Sequence, residues 1–236
     1  MYSPAQDIER IRARILHTIK HGLEFDLTTD QCKQLLRRHV NSNTTVVVLF
    51  IDINDSTRMS ISLPPTTFAS LVQIFSQEAR LVILGHGGYV LKYVGDSIIG
   101  IFPAEYDNKK ASENALNCAL SMMLIIRECI NPIMRSKNLP EIAVKIGLEH
   151  GPSLVILYGK SLDKAPIDLV GPCISMASKI MSAASPNQIL VGQSLFAAFS
   201  EDDILKRRFT EIQLPADKWN FHDKHTGNIY KLYNFI

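Results

Sequence analysis

Two apolar segments separated by only two residues constrain the fold of this chain most strongly. They cover residues 88 to 94 and 97 to 103, and Gly95-Asp96 lies between them. A two-residue connection containing glycine is typical of a β-hairpin, whose strands run side by side in opposite directions. This short stretch therefore predicts an antiparallel pair within a sheet.

Strand and helix patterns alternate on both sides of the hairpin. A strand is predicted at 44 to 52. After Pro65 an amphipathic helix carries apolar residues from Phe68 to Val82, and the glycine-rich segment 85 to 88 ends it before the hairpin. A long helix at 111 to 135 and a strand at 141 to 149 follow it. The order β-α-β-β-α-β is that of a ferredoxin-like core.

Further elements are expected after this core. Gly151-Pro152 predicts a turn into another strand at 153 to 158. Beyond it we expect a helix near 171 to 184, a strand near 188 to 191, a short helix near 193 to 199 and two late strands. The predicted fold class is α+β, with a ferredoxin-like βαββαβ core and extra C-terminal helices and strands.

Residues 1 to 40 are predicted to form a helical N-terminal extension, and residues 41 to 236 the main domain. Apolar residues from Ile8 to Leu23 recur at helical spacing on one face. A second short helix follows Asp30 and runs to about Arg38. This segment is expected either to pack on the main domain or to act in dimerisation or signal coupling.

Composition indicates a cytoplasmic protein of ordinary globular type. The 236 residues carry a formal charge of +2, and 46% of them are hydrophobic. No concentrated basic character suggests nucleic-acid binding, and no long uninterrupted apolar run suggests a membrane span. The four cysteines form no CxxC pair and are typical of small core residues in a reducing compartment.

Two aspartates follow apolar β-type runs in matching settings. Asp52 closes the run 46 to 51, and Asp96 lies at the hairpin turn. Burying an isolated carboxylate is costly, so each is expected to point from a sheet edge into a site. If the first strand pairs with the strand that enters the hairpin, the two carboxylates lie side by side, and a divalent cation relieves their repulsion. The alternative is that Asp52 caps a turn and Asp96 is an ordinary hairpin residue.

Four segments resemble the motifs of class III nucleotidyl cyclases, in the order found in that family. They are FIDINDST at 50 to 57, KYVGD at 92 to 96, VKIGLEHGP at 144 to 152 and DLVGPCISMASKI at 168 to 180. The resemblance covers about Thr44 to Phe199. It implies the same fold that the strand and helix patterns predict.

The resemblance implies a metal-dependent reaction. Asp52, Asp96 and the Ile53 carbonyl would hold two Mg²⁺ or Mn²⁺ ions per site. The ribose 3′-oxygen would attack the α-phosphorus of a nucleoside triphosphate in line and release pyrophosphate. Positioning and electrostatic stabilisation carry most of such chemistry.

Lys92 and Asp168 match the base-reading positions of adenylate cyclases. An ammonium donates and a carboxylate accepts, which suits adenine N1 and its exocyclic amine, whereas guanine presents the opposite polarity. Cytosine shows the same pattern as adenine. The alternative is a solvated strand lysine and a helix-capping aspartate.

Ser175 and Lys179 depart from the family, which usually carries Asn and Arg there to orient the ribose and stabilise the transition state. Lys179 keeps the charge but lacks the planar fork of arginine, and Ser175 makes fewer hydrogen bonds than Asn. Both residues remain the catalytic candidates. The triphosphate tail would be bound by Lys218, Lys224 or Lys231.

The resemblance therefore predicts an adenylate cyclase that converts ATP to cyclic AMP. Metal and base-reading residues come from opposite subunits in this family, so a homodimer with two equivalent sites is expected. The alternatives are a cyclase acting on CTP or UTP and a catalytically silent nucleotide-sensing dimer.

Overall fold

One mixed sheet organises the chain in the computed structural model, which describes residues 4–200 and 204–236. The strand order is β2-β3-β1-β4-β6-β8-β7, and β5 pairs with β4 outside this path. The strands are β1 Asn43–Ile53, β2 Tyr89–Val94, β3 Ser97–Pro103, β4 Val144–Leu157, β5 Ile167–Val170, β6 Gln188–Gly192, β7 Phe209–Ile212 and β8 Leu232–Phe235.

Helices cover both faces of this sheet. They are α1 Pro4–His21, α2 Asp30–Arg37, α3 Ser56–Ser62, α4 Pro65–Gly85, α5 Asn108–Ile125, α6 Asn131–Ser136, α7 Pro172–Ala183 and α8 Gln193–Phe196. A π-helical turn, Ile126–Ile130, joins α5 to α6, and a 3₁₀ turn, Ile204–Arg208, precedes β7. The predicted α+β fold class, with its βαββαβ core and extra C-terminal helices and strands, is confirmed.

The predicted partner of the first strand was wrong. β1 pairs antiparallel with β3, the strand that leaves the hairpin, and not with β2, which enters it. β2 becomes the edge strand, and a bulge interrupts its pairing with β3 between Val90 and Lys92. The expected proximity nevertheless holds, because Asp52 is opposite Ser97 and Ser97 directly follows Asp96.

The predicted turn at Gly151-Pro152 was also wrong, because β4 continues through it. Thr45 of β1 is opposite Pro152 on one side. On the other side β6 pairs with residues 145–148 and β5 with residues 154–157, so neither reaches Pro152. Proline lacks an amide hydrogen, and this gap between two partner strands is where a long strand tolerates it.

Alternation along β1 divides its side chains between two cores. Odd-numbered residues such as Leu49 belong to the larger core, together with residues of α1, α4 and α5. Even-numbered residues such as Val48 belong to a second core that contains residues of α2 and α7. Asp52 continues the even-numbered series, so it opens on the face that carries α2 and α7.

The N-terminal helices lie on opposite faces of the sheet. Ile15 of α1 is fully buried in the larger core, and Arg14 donates to both carboxylate oxygens of Glu78 on α4 at 2.8 and 2.5 Å. Cys32 and Leu36 of α2 are buried in the second core. The segment between these helices therefore passes around the β2 edge of the sheet.

The continuous helical stretch Asn108–Ser136 is long and apolar enough to cross a membrane, by length and composition. Half of its most apolar part is buried inside the domain. Its buried residues, such as Leu116 and Met122, pack in the larger core, so packing within the domain accounts for this apolarity.

Candidate metal and nucleotide site

Asp52 lies where β1 ends, and Asp96 lies at the β2–β3 turn, near enough for its charge to act on the Asp52 carboxylate. Ser97 connects them, since it follows Asp96 in the chain and its Oγ donates to Asp52 Oδ1. Gly95 has a φ of +63°, which favours glycine at the tight turn. Ile53 directly follows Asp52 and ends β1 with a buried side chain.

The electrostatics of this pair favour a cation. Burial raises the pKa of Asp52 and the nearby charge of Asp96 raises it further, while Ser97 and Lys145 lower it. Asp96 Oδ2 is buried and has no hydrogen-bond partner among the described residues. Hard carboxylate oxygens beside an unpartnered buried oxygen fit a divalent ion such as Mg²⁺.

The protein supplies only part of a coordination shell here. Within the described ranges no group of three or more His, Cys, Asp or Glu side chains is arranged to hold a metal. A cation at Asp52 and Asp96 would therefore take its other ligands from backbone carbonyls, water or phosphate. Mg²⁺ is usually bound in this way.

Lys92 and Asp168 meet although 76 residues separate them in the chain. Lys92 Nζ donates to Asp168 Oδ2, and Asp168 Oδ1 accepts from the Leu169 amide at 2.9 Å. Asp168 lies on β5, opposite Ile156 of β4. The alternative that it caps a helix is therefore wrong. The family resemblance assigned both residues to base reading, and the structure places their side chains in direct contact.

The Lys92–Asp168 pair and the Asp52–Asp96 pair are on the same face of the sheet but do not bind each other. Lys92 is opposite Ile99, which in turn is opposite Phe50, two residues before Asp52. Directly opposite residues share a face, so Lys92 and Asp52 point to the same side. Among the described residues no hydrogen bond or ion pair joins one pair to the other.

Ser175 and Lys179 lie on the solvent-exposed side of α7. They are four residues apart, so their side chains are neighbours on the helix surface. Lys179 forms no ion pair with any described residue. Among the described residues neither side chain forms a hydrogen bond or ion pair with Asp52 or Asp96.

The structure distinguishes the three lysines considered for the triphosphate tail. Lys231 Nζ donates to Glu211 Oε2 at 2.9 Å. The side chains of Lys218 and Lys224 are exposed and have no partner among the described residues. Lys224 lines a cavity of about 430 Å³ between β4, the start of α7 and the loop before β8. His150 also lines it, and its Nε2 is buried without a described partner.

Glu149 is a buried acidic residue that the sequence reasoning missed. Its Oε1 accepts from the His150 and Leu195 amides at 2.8 and 3.1 Å, and its Oε2 accepts from the Tyr230 hydroxyl at 2.5 Å. Burial raises the pKa of Glu149 to about 7. A glutamate inside an otherwise apolar strand was the signal available in the sequence.

Comparison with known families gives a match over most of the chain. The sequence model described as "Adenylate and Guanylate cyclase catalytic domain" matches residues 39–232.

The curated relatives include cyclases named for three different nucleotides. Adenylate cyclase 1 of Rhizobium meliloti (strain 1021) is 24% identical over 157 residues, covering 63% of this chain and 23% of the relative. A cytidylate cyclase of Escherichia coli is 25% identical over 157 residues, covering 64% and 34%. Soluble guanylate cyclase gcy-31 of Caenorhabditis elegans is 25% identical over 159 residues, covering 67% and 22%. The chain thus spans between about a fifth and a third of these relatives.

Solved structures share the fold at low identity. The adenylyl cyclase CyaB from P. aeruginosa superimposes with a TM-score of 0.68 and 18% identity, covering 83% of this chain and 95% of that one. The guanylyl cyclase Cya2 gives 0.68 and 20%, with 83% and 93% covered. The guanylate cyclase domain of RhGC from Catenaria anguillulae, in complex with GTP, gives 0.63 and 20%, with 83% and 98% covered.

Proposed function

Since this chain belongs to the adenylate and guanylate cyclase catalytic domain family, we propose that it converts ATP to 3′,5′-cyclic AMP and pyrophosphate. The observation that carries the proposal is the proximity of Asp52 and Asp96 at one end of β1, with a buried oxygen of Asp96 that has no partner among the described residues. Two nearby carboxylates without an ion-pair partner among the described residues suit a metal-dependent phosphoryl reaction.

Asp52, Asp96 and the Ile53 carbonyl are the groups that would hold divalent cations. When bound, such ions acidify the 3′-hydroxyl and neutralise charge on the triphosphate. The 3′-oxygen would attack the α-phosphorus in line as its proton passes to water. The bond between the α-phosphorus and the oxygen that bridges to the β-phosphorus would break, and pyrophosphate would leave with that oxygen. Lys179 would stabilise negative charge at the α-phosphate, and Ser175 would orient the ribose.

Adenine recognition rests on Lys92 and Asp168. Their direct contact shows that a donor and an acceptor lie within reach of each other on the sheet face that carries Asp52. Adenine N1 accepts and its exocyclic amine donates, so the base can replace each partner's internal bond. For the triphosphate tail we favour Lys224, because its side chain is unpaired among the described residues and lines a cavity at the start of α7.

A homodimer would bring these groups together. Ser175 and Lys179 are exposed on α7, and within the described residues neither forms a hydrogen bond or ion pair with Asp52 or Asp96. A two-fold partner would supply the missing half of each site from its own α7 and its own Lys92–Asp168 pair. Two equivalent sites follow from that symmetry.

Cytidine triphosphate is the second candidate substrate. Cytosine presents the same acceptor and donor as adenine to Lys92 and Asp168. Cytidylate cyclases are among the curated relatives at 25% identity, similar to that of the adenylate and guanylate cyclases. Ser175 and Lys179, which differ from the usual Asn and Arg, also agree with a differently placed substrate.

Incubation with ATP, GTP, CTP and UTP in the presence of Mn²⁺, followed by mass identification of the products, tests this proposal. Cyclic AMP as the main product supports it, and loss of that product in Asp52→Ala assigns it to this chain. Cyclic CMP or cyclic UMP as the main product would identify a pyrimidine nucleotide, and not ATP, as the substrate. Four unaltered triphosphates, with tight binding retained, would instead indicate a nucleotide-sensing dimer.

A further inference from the structure

A hydroxyl, a carboxylate and an ammonium form one row across the sheet at the end of β1. Asp52 is opposite Ser97 on β3 and opposite Lys145 on β4. Directly opposite residues of antiparallel strands share a face, with Cβ atoms about 4.5–5.5 Å apart. The three side chains therefore leave the sheet on the same side and at the same level.

Ser97 controls the orientation of the Asp52 carboxylate. Its Oγ donates to Oδ1, which occupies one of the roughly four lone-pair directions that a carboxylate offers. This bond restricts rotation of the carboxylate and leaves Oδ2 free to bind a ligand. A ligand group that is already oriented loses less conformational freedom when a cation binds.

Lys145 places a positive charge on the other side of Asp52. Its side chain is half-buried, and it forms no hydrogen bond or ion pair with any described residue. Its charge nevertheless acts on Asp52 and opposes the repulsion from Asp96. A positive charge on the residue directly opposite Asp52 stabilises the two carboxylates while no cation is bound and opposes the approach of one.

We propose that Ser97 and Lys145 are positioning residues of the cation site: Ser97 orients Asp52, and Lys145 balances the carboxylates before a cation binds. The inference rests on the proposed function, because it takes Asp52 and Asp96 as ligands of a divalent cation. The two residues have opposite effects. Loss of the Ser97 hydroxyl weakens cation binding, and loss of the Lys145 charge strengthens it.

Titration of the full chain with Mn²⁺ in the absence of nucleotide, followed by electron paramagnetic resonance, tests Ser97. Ser97→Ala should raise the Mn²⁺ Kd by about 10- to 100-fold, the usual effect of losing a partner of a metal ligand. Ser97→Thr keeps the hydroxyl and should stay close to the wild type. Ser70→Ala on α4 is the matched control, since Ser70 donates only to its own helix, at Thr66.

The same titration tests Lys145 with the opposite expectation. Lys145→Met should lower the Mn²⁺ Kd by about threefold or more, because a positive charge next to the site has been removed. Lys145→Arg keeps the charge and should resemble the wild type. Lys137→Met, an exposed lysine after α6, is the control for loss of one charge elsewhere.

The outcomes separate this inference from the proposed function. Wild-type Mn²⁺ affinity in Ser97→Ala overturns the role of Ser97, and unchanged or weaker binding in Lys145→Met overturns that of Lys145. Wild-type Mn²⁺ binding in both Asp52→Asn and Asp96→Asn would instead remove the cation site itself. Circular dichroism identifies any variant that fails to fold, in which case Ser97→Cys and Lys145→Gln take the places of Ser97→Ala and Lys145→Met.

Discussion

Two pairs of charged side chains on one face of the sheet differ in how their charge is balanced. Asp52 and Asp96 are like-charged neighbours, and one oxygen of Asp96 is buried without a described partner. Lys92 and Asp168 carry opposite charges and bind each other directly. In the proposed function the first pair would gain from an added cation, whereas the second would have to open an internal contact before it could bind a base.

Opening the second pair costs little. The side chains of Lys92 and Asp168 are 39% and 21% exposed, and ion pairs so open to solvent contribute about 0–1 kcal/mol. Hydrogen bonds to a nucleotide base can compensate for that loss. The comparison therefore separates two functions: the aspartate pair should decide whether turnover occurs, and the lysine–aspartate pair should decide which nucleotide is turned over.

Removal of a carboxylate from the first pair should have the largest effect. Asp52→Ala or Asp96→Ala should lower kcat by more than about 100-fold, because each removes a ligand of the cations that stabilise phosphate charge. Cyclic nucleotide formation measures the loss, and circular dichroism shows whether the fold is retained. Asp163→Ala, in an exposed loop, is the control. Residual turnover above about a tenth in either variant would contradict the metal role.

Glu149 sharpens the comparison, because it is a carboxyl group whose pKa is shifted mainly by burial. Its pKa is raised to about 7 from an ordinary value of 4.5. The folded chain therefore binds this proton more tightly than the unfolded chain does. The resulting stabilisation is fully present below about pH 4.5 and is lost as the pH rises through about 7.

Glu149→Gln should remove this pH dependence. Its free energy of unfolding at pH 8 should exceed that of the wild type by up to about 3 kcal/mol, and it should change less between pH 5 and 8. Urea unfolding across that range measures both quantities. Glu141→Gln, at an exposed position, should follow the wild-type curve. If the free energy of unfolding changed equally with pH in Glu149→Gln and in the wild type, burial would not raise the pKa of this carboxyl group.

Changes in the second pair should alter preference more than rate. Lys92→Met or Asp168→Asn should reduce the ratio of kcat/KM for ATP over GTP by about tenfold or more, because the base loses a matched donor or acceptor. The kcat for the better nucleotide should change less. Lys160→Met, in an exposed loop, is the control. An unaltered ratio would count against base reading by these residues.

Mixing two inactive variants asks whether two protomers share each site. Asp52→Ala and Lys179→Ala, combined in equal amounts, should recover up to about a quarter of wild-type turnover, since half of the dimers are mixed and each has one intact site. Native mass spectrometry establishes that mixed dimers are present. No recovery despite their presence would refute shared sites.

Features that depend on neighbouring residues were predictable from the sequence. The hairpin follows from glycine at the turn, and the strand ending at Asp52 follows from its apolar run. The aspartates were placed together correctly even though the partner strand was wrong. Both hairpin strands are apolar, so local pattern does not decide which of them pairs with β1.

Other features depend on contacts that the sequence does not reveal locally. Gly151-Pro152 has the composition of a turn, but β4 passes through it because no strand needs the Pro152 amide. β5 has only four residues, and Asp168 interrupts its apolar character. The pairing of Ser97 with Asp52 required the register between β1 and β3 to be known.

The course of the N-terminal segment has a consequence for solubility. Phe25 stacks on Arg80, and Thr28 and Thr29 line a small cleft with Tyr89, at the start of the edge strand β2. Unpaired strand edges are templates for aggregation unless something covers them. A truncated chain lacking residues 1 to 40 should therefore self-associate through the exposed edge of β2, which light scattering would detect, because α2 and the segment before it lie against that strand.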